Sequence, residues 1–100
     1  MRAIIVEDSF YEDYKRILSF MEKMDYPQNY VENFKLETKH ALANIEEHNE
    51  IAPLVDERFF ESFRKYVYFN HLIFYIILDE KRLSVARLFH EKEGWQNEIV

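Results

Sequence analysis

Three side chains in the last third of the chain have the types that reaction chemistry uses: Arg64, Arg87 and His90. An imidazole titrates near neutrality and can take or give a proton. Guanidinium groups can hold negative charge that builds in a transition state. Tyr66, Tyr75 and Trp95 could stack on a nucleobase. Together these residues could serve proton transfer on a substrate that develops negative charge, provided the fold brings them to one place. Each also has a plain structural reading. Arg87 could pair with an acid such as Glu12 or Glu37 and tie helix to sheet. His90 could bond locally at a strand end, His71 could sit at a turn, and Trp95 could cover a sheet edge. His40 and His48 stand eight residues apart with no cluster around them, so no metal site is expected, and no cofactor.

The elements that must position these residues can be read from periodicity. Arg2 to Val6 is a short β-branched run. Asp8 or Ser9 then suits a helix start, and Phe10, Tyr14, Ile17, Leu18, Met21 and Met24 recur at helical spacing up to Tyr26-Pro27. A second helix starts near Gln28, with Val31, Phe34, Thr38, Ala41, Leu42 and Ile45 as its inner stripe. The stretch Phe63–Trp95 follows: a β-rich run to Phe69, an apolar run from His71 to Leu78, a polar turn, and a strand-like run from Leu83 to His90. The expected fold is α+β, in the order β-α-α-β-β-β. An antiparallel helix hairpin covers one face of an antiparallel sheet, and a short tail or helix ends the chain. Residues 1–100 form a single domain, with no linker or repeat.

Alternation assigns the faces. With Asp79–Arg82 as the loop, Leu78 stands opposite Leu83. With Phe69-Asn70 as a two-residue turn, Tyr68 stands opposite His71. One face then holds Phe63, Val67, Phe69, Leu72, Phe74, Ile76, Leu78, Leu83, Val85, Arg87 and Phe89, and the helices are expected there. The other face holds Arg64, Tyr66, Tyr68, His71, Ile73, Tyr75, Ile77, Ser84, Ala86, Leu88 and His90. Left open, it would be a surface for a macromolecular partner, with Trp95 beside it.

The totals narrow the classes. At 48% hydrophobic and 17% aromatic, 100 residues can bury a small core, and one Gly with two Pro argues against disorder. Without cysteine there is no disulfide or thiolate site. The opening MRAIIVEDSF has no secretory pattern, so a soluble, cytoplasmic chain without membrane association is expected. The net charge is −6, and residues 1–63 carry seven Lys/Arg against fourteen Asp/Glu. That balance disfavours gripping a phosphate backbone.

The ordered set Arg64, Ile73-Phe74-Tyr75, Arg87-Leu88-Phe89-His90 and Trp95 resembles the RelE/ParE family of bacterial toxins, with the spacing of its ParE-like branch. Glu91 and Gly94 stand where that branch often has Gly and Asp. The resemblance implies the toxin of a type II toxin–antitoxin system, of the kind linked to plasmid maintenance. Its cognate antitoxin, encoded adjacently, would form a hetero-oligomer with it. The antitoxin would wrap it with an amphipathic helix and an extended segment, along the outer groove of the helix hairpin and the open sheet face. A ParE-like member inhibits DNA gyrase by binding and needs no nuclease site. The alternative is a RelE-like, ribosome-dependent mRNA endoribonuclease using Arg64, Arg87 and His90. A further alternative is a non-toxic relative that only binds an antitoxin. Alternation sets Arg87 and His90 on opposite faces, and with the acidic charge this favours the binding mode.

Overall fold

The computed structural model describes residues 2–55 and 63–94. Its elements are β1 (Ala3–Val6), α1 (Asp8–Lys23), α2 (Gln28–Glu47), β2 (Phe63–Tyr68), β3 (His71–Ile77) and β4 (Arg82–His90). The strands form one sheet in the order β1-β4-β3-β2. β2, β3 and β4 are an antiparallel meander, and β1 joins β4 in parallel, so the sheet is mixed. Two helices packed on this sheet realise the expected β-α-α-β-β-β fold. The tail from Trp95 and the run Asp56–Ser62 lie outside the described residues.

Each helix buries the stripe its spacing predicts. Phe10, Ile17 and Met21 of α1 and Phe34, Ala41 and Ile45 of α2 are in the core, whereas Met24, at the end of α1, is exposed. Phe34 stacks on Tyr14 at 5.8 Å and on Tyr68 at 6.5 Å, so one ring ties both helices to β2. Truncating such a side chain costs roughly 3–5 kcal/mol. A left-handed residue, Asp25 (φ 56), ends α1. Its N–H donates to Glu22 O and that of Tyr26 to Met21 O, the paired bonds of a Schellman turn. The ring of Tyr26 meets Phe20 edge-on at 6.2 Å and closes the turn.

The β2–β3 turn has the expected register, with Tyr68 opposite His71. Phe69 and Asn70 both take positive φ (46 and 61), as a type I′ hairpin requires. Phe69 tolerates that conformation with its ring against Tyr30, 5.1 Å away.

The faces of the sheet are not as alternation predicted. Ile77, not Leu78, stands opposite Leu83. The carboxylate of Asp79 accepts the Lys81 and Arg82 N–H groups at 2.8 and 2.9 Å, which sets the loop one residue earlier. That slip moves Leu83 and Val85 to the face of Ile73 and Tyr75. A bulge then leaves Ala86 unpaired, between Phe74 opposite Arg87 and Tyr75 opposite Val85, and the parity switches back. Leu88 and His90 therefore share the face of Leu83 and Val85.

The helices cover this second face, the one expected to be open. Its tyrosines are the reason. They bring large apolar bodies into the core, and their hydroxyls find partners on α2: Tyr68 with Thr38 at 2.7 Å, and Tyr66 with Asn44 at 3.0 Å. His71 and Tyr75 are buried. The face expected to carry the helices instead holds a smaller cluster of Val55, Leu72, Phe74 and Phe89, with Phe63 packed against it.

Candidate functional site

β1 pairs only with residues 82–85 of β4, so the outer edge of β4 beyond Val85 needs another partner. α1 supplies it with side chains spaced along one helix face. Ser9 Oγ donates to Ala86 O at 2.6 Å. The Leu88 N–H donates to Asp13 Oδ2 at 2.9 Å, and Arg16 Nη2 donates to Leu88 O at 3.4 Å. At the strand end Glu93 Oε1 accepts the His90 N–H at 2.7 Å, while its Oε2 accepts Arg16 Nη1 at 2.6 Å. The helix thus acts as a fifth strand built of side chains.

This arrangement decides the role of Arg87. Its guanidinium donates to Asp13 at 2.7 and 3.0 Å and lies over the Phe89 ring, 4.7 Å from the centroid. Arg87 does pair with an acid of α1, but the acid is Asp13 and not Glu12 or Glu37. Asp13, only 4% exposed, receives an arginine fork and a backbone N–H.

Arg64 is committed at the far end of the sheet. Its Nη1 donates to Ala52 O at 2.7 Å, Glu50 lies 3.9 Å away, and the side chain is 18% exposed. Tyr75 works beside it: its hydroxyl donates to Asn49 O at 2.7 Å, and the Ala52 N–H reaches it at 3.4 Å. Burial holds the Tyr75 phenol above its ordinary range. Asn49 in turn caps α2, donating to Ile45 O and Glu46 O. Arg64 stands four residues along β2 from Tyr68, which faces His71. Four strand residues span about 13 Å. Arg64, Arg87 and His90 are therefore not brought together.

What the fold does bring together is His71 and His90, ring centroids 5.0 Å apart and edge to face. Both line a cleft of about 580 Å³ whose other walls are Arg16, Ile17, Phe20 and Met21 of α1, Tyr26 and Tyr30 across the helix turn, and Lys92 and Glu93. His71 is 1% exposed, and its Nδ1 lies 2.6 Å from the carbonyl of Phe69. A carbonyl only accepts, so the proton is on Nδ1 and the lone pair on Nε2. Among the described residues that Nε2 is the one buried side-chain nitrogen without a partner. Burial pushes the pKa of His71 down, opposed by its bond to Phe69 O, so the ring is neutral at pH 7. His90 is half-buried, and its Nδ1 accepts the Lys92 N–H at 3.1 Å.

Of the expected partner face, Tyr66, Tyr68, His71 and Tyr75 are turned to the helices, and Trp95 lies outside the described residues. His90 alone of that set borders an open cavity while only half-buried. Sequence reasoning missed Arg16, Tyr26, Tyr30, Lys92 and Glu93. The one signal for them was the spacing of Asp13 and Arg16, which puts an acid and a base on one helix turn. Among the described residues no group of three or more His, Asp or Glu could hold a metal ion, and no helix is long and apolar enough to cross a membrane.

Comparison with known proteins follows the fold. E. coli YafQ, solved alone and in its complex with DinJ, superposes with a TM-score of 0.56 and 15% identity, over 91% of this chain and 94% of that one. The solution structure of HP0894 from Helicobacter pylori superposes with a TM-score of 0.56 and 16% identity, over 93% of this chain and 98% of its own. At such identity these likenesses carry the fold. No curated protein matches the chain significantly in sequence. The model of the ParE toxin of the type II toxin–antitoxin system parDE matches residues 4–95, so the chain belongs to that toxin family, within the wider RelE/ParE group.

Proposed function

We propose that this toxin acts by binding, in the ParE-like manner, with DNA gyrase as its target, and that an antitoxin encoded beside it holds it silent. One observation carries the reading: two of the three residues that cleavage would need are spent on the fold. Arg64 holds the Ala52 carbonyl and Arg87 holds Asp13, and neither lines the cleft of His90. The acidic charge of −6 supports it, because docking among phosphates draws on surplus Lys and Arg. The solved complex of E. coli DinJ with YafQ supports an antitoxin partner for this chain.

A second reading has its own observation. The His90 cleft gathers Arg16 and Lys92 around an imidazole, and a ribosome-dependent endoribonuclease could use such a group. Expression of the chain alone separates the two. The binding reading expects a DNA-damage response and stalled gyrase–DNA cleavage complexes, both kept in His90→Ala. Messenger RNA cut at codon boundaries, and lost in His90→Ala, overturns it. Unaffected growth at full expression would leave only antitoxin binding as the role.

A further inference from the structure

Of the two surfaces expected to receive the antitoxin, the tyrosine-rich sheet face is closed by the helices, while the groove between the helices is open and shares Met21 and Tyr26 with the cleft at the end of β4. The makeup of that cleft specifies an occupant. Its volume of about 580 Å³ admits large side chains. Apart from Arg16, its α1 and turn walls are apolar or aromatic, and the rim continues outward onto Phe20, 53% exposed, with Met24 and Tyr26 also exposed. Aromatic residues, Met and Arg are the types enriched at the cores of protein interfaces. The charge is the reverse of the chain's acidic total. Arg16 is matched by Glu93, while Lys92 has no ion pair among the described residues. A ring lodged against Phe20, Tyr26 and Tyr30 would meet aromatic edges and faces, and a carboxylate beside it would meet Lys92.

We infer that this cleft is the anchor site for the antitoxin: it takes an aromatic side chain of an amphipathic antitoxin helix, with an Asp or Glu three or four positions away set against Lys92. The inference rests on the antitoxin reading above and adds the place and chemistry of the contact. The helix-in-groove mode suits it, because one helix face presents residues at that spacing together. The apolar anchor supplies most of the affinity, and the single ion pair at the rim adds less.

The test uses the full chain and the protein of the adjacent reading frame, with affinity measured by calorimetry. Phe20→Ala should weaken the complex about tenfold or more, and Lys92→Glu about fivefold. Leu54→Ala, at the Arg64 end, and Val67→Ala, on the sheet face turned away from the helices, change exposed apolar positions and should leave it within about twofold. Phe20 and Lys92 are exposed, and a thermal melt of each free variant confirms folding. Hydrogen exchange on the complex should protect residues around the α1–α2 turn. A complex that forms but is indifferent to Phe20→Ala and Lys92→Glu ends this inference and spares the antitoxin reading. Failure of the unmodified chain to bind its neighbour's product ends both.

Discussion

At the Arg64 end of the sheet an arginine, a tyrosine and an asparagine interlock with the backbone of residues 45–52, and the hydroxyl and guanidinium both have near partners. At the His90 end two histidines, an arginine and a lysine surround a cleft, and a buried imidazole nitrogen has none among the described residues. The two ends draw on similar side chains. The difference lies in what the neighbouring backbone demands. The connector after α2 must be pinned to the sheet, and Arg64 and Tyr75 do that. The edge of β4 beyond β1 is satisfied by Ser9, Asp13, Arg16 and Glu93, which leaves His90 Nε2 and Lys92 Nζ outside the bonds that hold that edge among the described residues. Availability for a partner is therefore set by which polar groups the fold has already consumed.

The sharpest way to break this comparison is Asp13→Ala. It removes the acceptor of the Arg87 fork and of the Leu88 N–H and strips the edge of β4 that carries His90. Losing one partner of a buried pair costs about 3–5 kcal/mol. Urea denaturation should show a loss of that order. A loss below about 1 kcal/mol would mean that the helix does not substitute for a strand there. Tyr75→Phe is the corresponding change at the other end. It deletes the hydroxyl between Asn49 O and Ala52 N and should cost about 1–2 kcal/mol. Toxicity at matched folded protein should be untouched, because the Tyr75 hydroxyl is spent on the backbone of residue 49. A Tyr75→Phe chain that folds normally yet loses toxicity would reverse the assignment of the two ends.

These assignments were only partly legible in the sequence. The order of elements, both helical stripes and the Tyr68–His71 register follow from local spacing and turn chemistry, and the structure keeps them. The placement of the helices was missed because face parity is a product of non-local facts. The Asp79 clamp moved the β3–β4 register by one residue, and the Ala86 bulge moved it back halfway along β4. The concentration of tyrosine was visible but was read as a docking surface, whereas Thr38 and Asn44 meet those hydroxyls from α2. His71 and His90 were set on one face, and they do meet. Their cleft companions Arg16, Tyr26 and Tyr30 come from forty or more residues upstream, and no spacing within the last third could announce them.

The buried imidazole sharpens the contrast through pH. Burial lowers the pKa of His71 from 6.5, so near and below that value the unfolded chain binds a proton that the folded chain refuses. Stability is then full above pH 6.5 and falls as pH drops toward the folded value. The slope from this one site is at most about 1.4 kcal/mol per pH unit. The groups whose charges act on the ring are His90, Glu91 and Glu93; the two acids oppose the shift and His90 adds to it. Denaturation midpoints measured from pH 7.5 to 5.5 should show this fall in the parent and a flatter profile in His71→Phe. Equal slopes in the two would show that His71 is free to protonate in the folded chain.

The smallest expected effect lies in the turn that walls the cleft. Asp25 holds φ 56 at the end of α1, where a Cβ is a steric burden, and no hydrogen bond or ion pair ties down its exposed carboxylate among the described residues. Asp25→Gly removes that burden and leaves the two Schellman bonds in place, because both are made by backbone groups. Relief of a left-handed non-glycine residue is worth about 1–2 kcal/mol, but the more flexible unfolded chain takes back about 0.5–1 kcal/mol. The net gain should be about 0.5 kcal/mol, readable as a slightly higher melting temperature. Tyr26, the next residue, keeps its place against Phe20 and Tyr30, so partner affinity should not change. A stabilised turn that bound more weakly would mean that the cleft must open at Asp25 to admit its occupant. The His90 end would then differ from the Arg64 end in compliance as well as in which polar groups it leaves unspent.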